Sequence, residues 1–286
     1  MSVPRQPDPI LTVDVEEWFH VCGHPGYADV AAWSGMTSRV GPCVDMLLDL
    51  LDGSGSRATF FVLGWVARSH PGLVRRIADA GHEIGCHGDL HRRVFEMGLD
   101  EFREDVRRAK GVLEQQAGAP VTSFRAPEWS MRSASNPALA VLVEEGFRLD
   151  SSLVAAPPVG EISNPSRPAL LQTSAGPILE VPTLSGSFFF RRAILGGGVC
   201  SRLSRFSRVE ALMAREMRSG VAPVLYLHPW ELDEKHPPMR LSVVGTLVHF
   251  AGRLRTRERL IELVARYRFV PISSATASVP AGGAAR

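Results

Sequence analysis

The sequence predicts an α/β fold built on a parallel sheet, and three observations carry that expectation. Short apolar runs rich in β-branched and aromatic residues alternate about seven times with segments of helical periodicity. The 286 residues are 45% hydrophobic and 22% charged, which suits one sizeable core or two small ones and excludes a disordered or collagen-like chain. No internal repeat or linker divides the sequence. Alternation of this kind admits a doubly wound sheet or a β/α barrel, and both gather functional residues at the C-terminal ends of their strands.

In order along the chain, residues 10–15 read as a strand that stays apolar until Asp14, and 44–51 as a helix. Strand 58–63 precedes helix 72–80, which starts just after Pro71, and strand 83–86 precedes the long periodic helix 99–117. Strand 121–124, helix 137–145, strand 147–149 and strand 178–181 come next. Helix 209–219, strand 224–227 and helix 256–267 complete the series. The proline-containing stretch 155–177 reads as a long loop, and 195–204, with Gly196, Gly197 and Gly198, as another; both are candidates to line a substrate groove. A single domain over 1–272 is expected, with a Ser, Ala, Gly and Pro tail over 273–286 expected to be disordered.

With 32 basic and 30 acidic residues the net charge is only +2, so no uniform positive field recommends nucleic acid or an acidic membrane as the main partner. Cys22, Cys43, Cys86 and Cys200 are too few and too scattered to staple so long a chain, which favours a reducing compartment. The N-terminal stretch lacks the apolar core of a secretory signal and no run is long enough to span a bilayer, so a cytoplasmic location is the expectation.

Five polar clusters fall where predicted strands end. The first, TVDVEEW, places Asp14 and Glu16 on one face of a strand by alternation, with Glu17 pointing away. The second, HEIGCHGDLH, sets His87 and His91 four apart, which on a helical turn brings both imidazoles to one metal; the zinc-protease spacing from His82 is excluded because Cys86 stands where the second histidine would be. Two histidines beside an acidic strand end make a two-histidine, one-carboxylate site with open positions for water. The remaining clusters are FRAPEW with Arg125 and Glu128, LDSSL with Asp150, and LYLHPWE with His228. Taken singly, each of these residues reads equally as a surface arginine, a helix cap or a packed histidine. Together they suit an active site at one end of a sheet.

In this order, DVE, then HxxxH, RxP, DSS and HPWE, the chain resembles the NodB-type polysaccharide deacetylases of carbohydrate esterase family 4, and within them the subgroup associated with bacterial exopolysaccharide and exosortase loci. The resemblance spans residues 10 to 272 and implies a distorted (β/α)7 barrel. It implies Asp14 as general base, His87 and His91 as metal ligands, Arg125 as the residue that orients the base, and His228 as general acid. Most members carry adjacent aspartates in the first motif, whereas Val15 follows Asp14 here, so Glu16 is the expected carboxylate ligand, as in relatives with a D-x-D arrangement. Asp150 is aligned with the carboxylate that tunes the acid. Glu128 replaces the usual tyrosine of the third motif and is expected to serve through its backbone N–H in the oxyanion site. Tyr226 replaces a leucine in the acetyl pocket, and Trp18, Trp129 and Trp230 are candidate sugar-binding faces or core residues.

The implied reaction is metal-dependent hydrolysis of an acetamide on an N-acetylated glycan, with Zn2+ as the expected ion, although iron, cobalt or nickel suit the same ligands. Two alternatives share the fold: hydrolysis of another C–N bond, such as a cyclic or peptidoglycan amide, and a catalytically silent carbohydrate binder. Arg191, Arg192, Arg202, Arg205 and Arg208 meet an anionic polymer or lipid pyrophosphate carrier on one reading and are simply solvated on the other.

Overall fold

Strand β1 (Ile10–Val15) is buried at all six residues, as a parallel strand covered on both faces must be. Alternation sorts its side chains: Leu11, Val13 and Val15 join the large core beneath the surrounding helices, while Ile10 joins a second apolar cluster with Phe61, Leu149, Leu179 and Val224. The computed structural model describes residues 6–278. Its other strands are β2 (Thr59–Val62), β3 (Glu83–Cys86), β4 (Ser123–Phe124), β5 (Leu149–Asp150), β6 (Ala169–Thr173), β7 (Gly176–Glu180), β8 (Ser185–Phe188), β9 (Arg191–Ile194) and β10 (Val224–Leu227).

Eight of them form one curled sheet in the order β10-β1-β2-β3-β4-β5-β7-β6. Seven run parallel and β6 is antiparallel to β7. The expected α/β barrel is thereby present, in distorted form. Its seam is closed by irregular chain instead of a ladder: the Leu184 N–H donates to Val224 O and the Tyr226 N–H to Gly196 O, both at 2.9 Å. This close approach explains the glycine triplet, since a Cβ on Gly197 would lie 2.1 Å from Tyr226 O.

Most predicted helices are found within a few residues of their expected ends, among them Val40–Gly53, Leu99–Ala117, Phe206–Arg218 and Thr256–Arg266. Two expected loops contain regular structure. The stretch 155–177 includes β6, whose half-buried residues hide its strand character, and 195–204 includes the helix Gly198–Leu203. The hairpin β8-β9 and the helix Val243–Phe250 were not anticipated. Of the expected tail, Ile272–Ser278 forms a 3₁₀ helix with Ala275 buried in the same cluster as Ile10, and residues 279–286 lie outside the described residues. No described helix is long and apolar enough to cross a membrane.

Candidate active site

The C-terminal ends of β1, β3 and β10 meet at a cavity of about 420 Å3. Glu16, His87 and His91 line it together, their ligand atoms all within 4.8 Å of one another and all three residues buried. Glu16 Oε2 lies 2.6 Å from His91 Nε2 and 3.8 Å from His87 Nε2. Despite that proximity Oε2 makes no well-formed hydrogen bond. His87 Nδ1 donates to Arg125 O at 2.8 Å, because a carbonyl can only accept, and the neutral ring therefore presents its lone pair at Nε2 toward Glu16. Burial pushes His87 down to about 4, which keeps it neutral. Burial alone would raise Glu16, but His91, His228 and His87 outweigh it and hold the carboxyl far below the ordinary range. Burial opposes a proton on His91, but Cys22 and Glu16 raise its pKa well above the usual value, so an ion taking this position displaces a proton. An orphaned carboxylate oxygen and an imidazole held in the ligand tautomer fit a divalent metal.

The two histidines do not reach this geometry on a helical turn. They lie in the loop after β3, where Gly88 at φ 79° and His91 at φ 51° turn both rings inward. Glu17 is excluded from the site, as alternation anticipates. It accepts from the N–H groups of Arg39 (2.9 Å) and Val40 (3.3 Å) and so caps the helix Val40–Gly53.

Asp14 stands beside the triad and accepts from Arg125 Nη1 at 2.8 Å. Arg125 is fully buried, with Thr12 Oγ1 (2.7 Å), Ser151 O (3.2 Å) and Ser151 Oγ (2.9 Å) as further acceptors and the Phe61 ring 4.5 Å away. The guanidinium thus has nowhere to swing, and Asp14 is fixed with it.

Across the cavity, His228 Nδ1 is 2.7 Å from Glu231 Oε1. The partner of His228 is therefore Glu231 and not Asp150. Asp150, on β5, has other partners: it accepts from Ser152 Oγ at 2.5 Å and pairs with Glu180 on β7. Burial pushes Asp150 up to about 6, and burial together with Asp150 raises Glu180 well above the carboxylate range. The DSS segment serves Arg125 instead, through Ser151, and holds the Ala126 N–H with Ser152 Oγ (2.8 Å). Glu231 is pinned by Arg202, 2.8 Å away, so Arg202 is a buried positioning residue and not a surface contact for polymer. Burial would raise Glu231, but Arg202 and His228 bring it down to about 2. Burial would lower His228, but Glu16 and Glu231 raise it above its ordinary value. Glu231 sits three residues beyond His228 on a 3₁₀ turn, an i,i+3 spacing visible in the HPWE motif itself.

With His228 as the proton donor that the resemblance implies, activity would be present below its raised pKa and lost as pH rises through it. Glu231→Gln removes a raising charge, and the alkaline limb of the kcat profile should move down by about one pH unit. An unmoved limb would separate Glu231 from His228.

Of the aromatic candidates, Trp18, Trp129, Tyr226 and Trp230 all line the cavity. Trp230 has a more specific task than offering a face to sugar: its indole N–H donates to Glu16 Oε1 at 3.1 Å, and its ring is stacked between His228 and His249. Trp230→Phe keeps the stack and loses the donor, so metal affinity should fall about 10- to 100-fold, as measured by competition with a chromogenic chelator. Glu128 also lines the cavity, but its side chain turns away to Arg93 Nε (2.7 Å) and the Cys22 N–H (3.2 Å), with its backbone in the left-handed region at φ 50°. The sequence reading passed over two further neighbours of the triad. Cys22 Sγ lies 3.3 Å from His91 Nδ1, and the buried His20 ring stacks 6.0 Å from that of His91.

Residues 38–148 match the polysaccharide deacetylase family. Residues 151–277 match a domain of unknown function (DUF3473), and the junction falls at β5, inside the one continuous sheet, so the two stretches are arcs of a single domain. The site draws on both and on residues before them: His87, His91 and Arg125 come from the first stretch, His228 and Glu231 from the second, Asp14 and Glu16 from neither. The chain is 36% identical over 81 residues to a peptidoglycan-N-acetylglucosamine deacetylase of Bacillus cereus, covering 28% of this chain and 30% of that protein. It is 45% identical over 71 residues to a chitooligosaccharide deacetylase of Rhizobium leguminosarum bv. trifolii, covering 25% and 33%. These matches span about a third of the length of the curated relatives. Among solved structures, a protein assigned as a polysaccharide deacetylase from Mycobacterium smegmatis superposes with a TM-score of 0.62 at 25% identity over 97% of this chain and 92% of that one.

Proposed function

We propose that this chain is a metal-dependent de-N-acetylase that hydrolyses the acetamide of N-acetylated amino sugars in a bacterial polysaccharide or its precursor. The observation that carries this reading is the convergence, in one cavity, of an orphaned ligand triad with Asp14 on one side and the His228–Glu231 pair on the other. A silent carbohydrate binder needs neither the base nor the acid. The names of the relatives, which act on peptidoglycan N-acetylglucosamine and chitooligosaccharide, point to the same substrate class.

Glu16, His87 and His91 would hold the ion. When bound, a divalent metal supplies Lewis-acid polarisation of the amide carbonyl and lowers the pKa of water. Asp14, kept in place by Arg125, takes the proton of the attacking water. The carbonyl oxygen acquires charge as the tetrahedral intermediate forms, and the backbone N–H at Glu128 is the donor proposed for it. His228, held protonated by Glu231, gives its proton to the amine, which is otherwise too basic to depart. Acetate and a free amino sugar result.

The test is acetate release from N-acetylglucosamine oligomers, peptidoglycan and bacterial exopolysaccharides, with chelator and then with Zn2+ restored. Release that is lost to chelator and recovered by metal supports the reading. Stoichiometric metal binding with no acetate from any glycan overturns it and favours a binder.

A further inference from the structure

The small net charge conceals an uneven distribution. Residues 181–209 contain five arginines and no carboxylate, and residues 235–257 contain Lys235, four arginines and no carboxylate. Against a whole-chain net of +2, the rest of the protein is therefore acidic in excess. These two stretches form one surface: the helix Gly198–Leu203 contacts both β9 and the helix Val243–Phe250. Among the described residues, Arg191, Arg192, Arg205, Arg208 and Arg240 are exposed and none forms an ion pair.

The same surface is apolar to an extent that folding does not explain. At the tip of the β8-β9 hairpin Phe189 is 78% and Phe190 fully exposed, and on the helix Val243–Phe250 the outward residues are Val243 (87%), Val244 (69%) and Leu247 (57%). Two-residue hairpin turns favour Asn-Gly, because the left-handed region costs other side chains energy. Here Phe189 occupies φ 52°. A phenylalanine at that φ weakens the turn, and apart from the edge contact of Phe189 with Phe188 the two rings bury little within the chain. The area they leave exposed gains only from something outside it.

We propose that this face docks on an anionic lipid bilayer, with Phe189, Phe190 and the helix Val243–Phe250 entering the interface and the exposed arginines meeting the headgroups. Charge complementarity selects this occupant: aromatic and aliphatic side chains beside five exposed arginines that form no ion pair match the boundary of a bilayer of negative surface potential. A second copy of the chain would bring the same unpaired cations face to face. The face also forms one wall of the cavity, through Ile194, Val199, Leu241 and Val248. Docking therefore sets the cavity mouth beside the headgroups. The binding step stands independently of the hydrolysis proposed above.

The test is co-sedimentation of the full chain with vesicles of phosphatidylcholine alone or with about one third phosphatidylglycerol. Binding to the anionic vesicles, weakened from about 0.1 M to about 1 M salt, is the expected result. Phe189→Ser with Phe190→Ser should weaken it about tenfold or more, as should Val243→Ser with Leu247→Ser, while acetate release from soluble oligomers is unchanged. All four positions are exposed, so folding is spared. Absence of binding to either vesicle, or binding that both double variants retain, overturns the proposal. So does a dimer in sedimentation velocity that the Phe variant dissociates without any vesicle binding, which would make the face a contact between copies.

Discussion

Replacing Asp14 by Asn is expected to lower turnover by roughly two to four orders of magnitude while the protein still takes up metal in full. The two effects separate because Asp14 is not one of the three converging ligand residues; its carboxylate is directed to Arg125, 2.8 Å away. Asparagine is isosteric, and its carbonyl oxygen can still accept from Arg Nη1, so the position of the side chain is kept and only its basicity is lost. The charge of Arg125 is then less well balanced in a fully buried setting, although Thr12 and Ser151 continue to accept from it. Some loss of stability should accompany the variant. Normalising turnover to bound metal removes that contribution. A normalised rate equal to that of the parent chain would exclude Asp14 as the base.

How much of this was legible in the sequence depends on whether the information was local. Strand alternation alone placed Asp14 and Glu16 together and Glu17 outside, although the ladder stops at Val15 and Glu16 N–H already folds back to Asp14 O. The pairing of His87 with His91 was legible as a spacing, but the reason for it was not, because a non-glycine residue at positive φ leaves no mark in a sequence. Glu231 was within reach, three residues from His228. Asp150 was preferred by motif alignment, and only the structure shows that its partners are Ser152 and Glu180. Arg202 illustrates the same limit: an arginine in a glycine-rich loop reads as solvated until Glu231 is found beneath it. The β8-β9 hairpin was missed since its turn carries phenylalanines where turn chemistry would place asparagine and glycine.

Changing His87 and His91 together to Ala should abolish metal binding and with it all chelator-sensitive acetate release. Each histidine supplies one of three converging donors, and a lone Glu16 carboxylate retains no chelating geometry. The fold should survive, because neither ring belongs to the apolar clusters and both lie in the loop beyond β3. Stability offers a second readout of the opposite sign. In the parent chain an added metal that binds only the folded state raises the melting temperature in proportion to the logarithm of its concentration. The double variant should show no such rise. If elemental analysis instead found it fully loaded, the ion would be held elsewhere, and the Lewis-acid chemistry assigned to the ends of β1 and β3 would have to move with it.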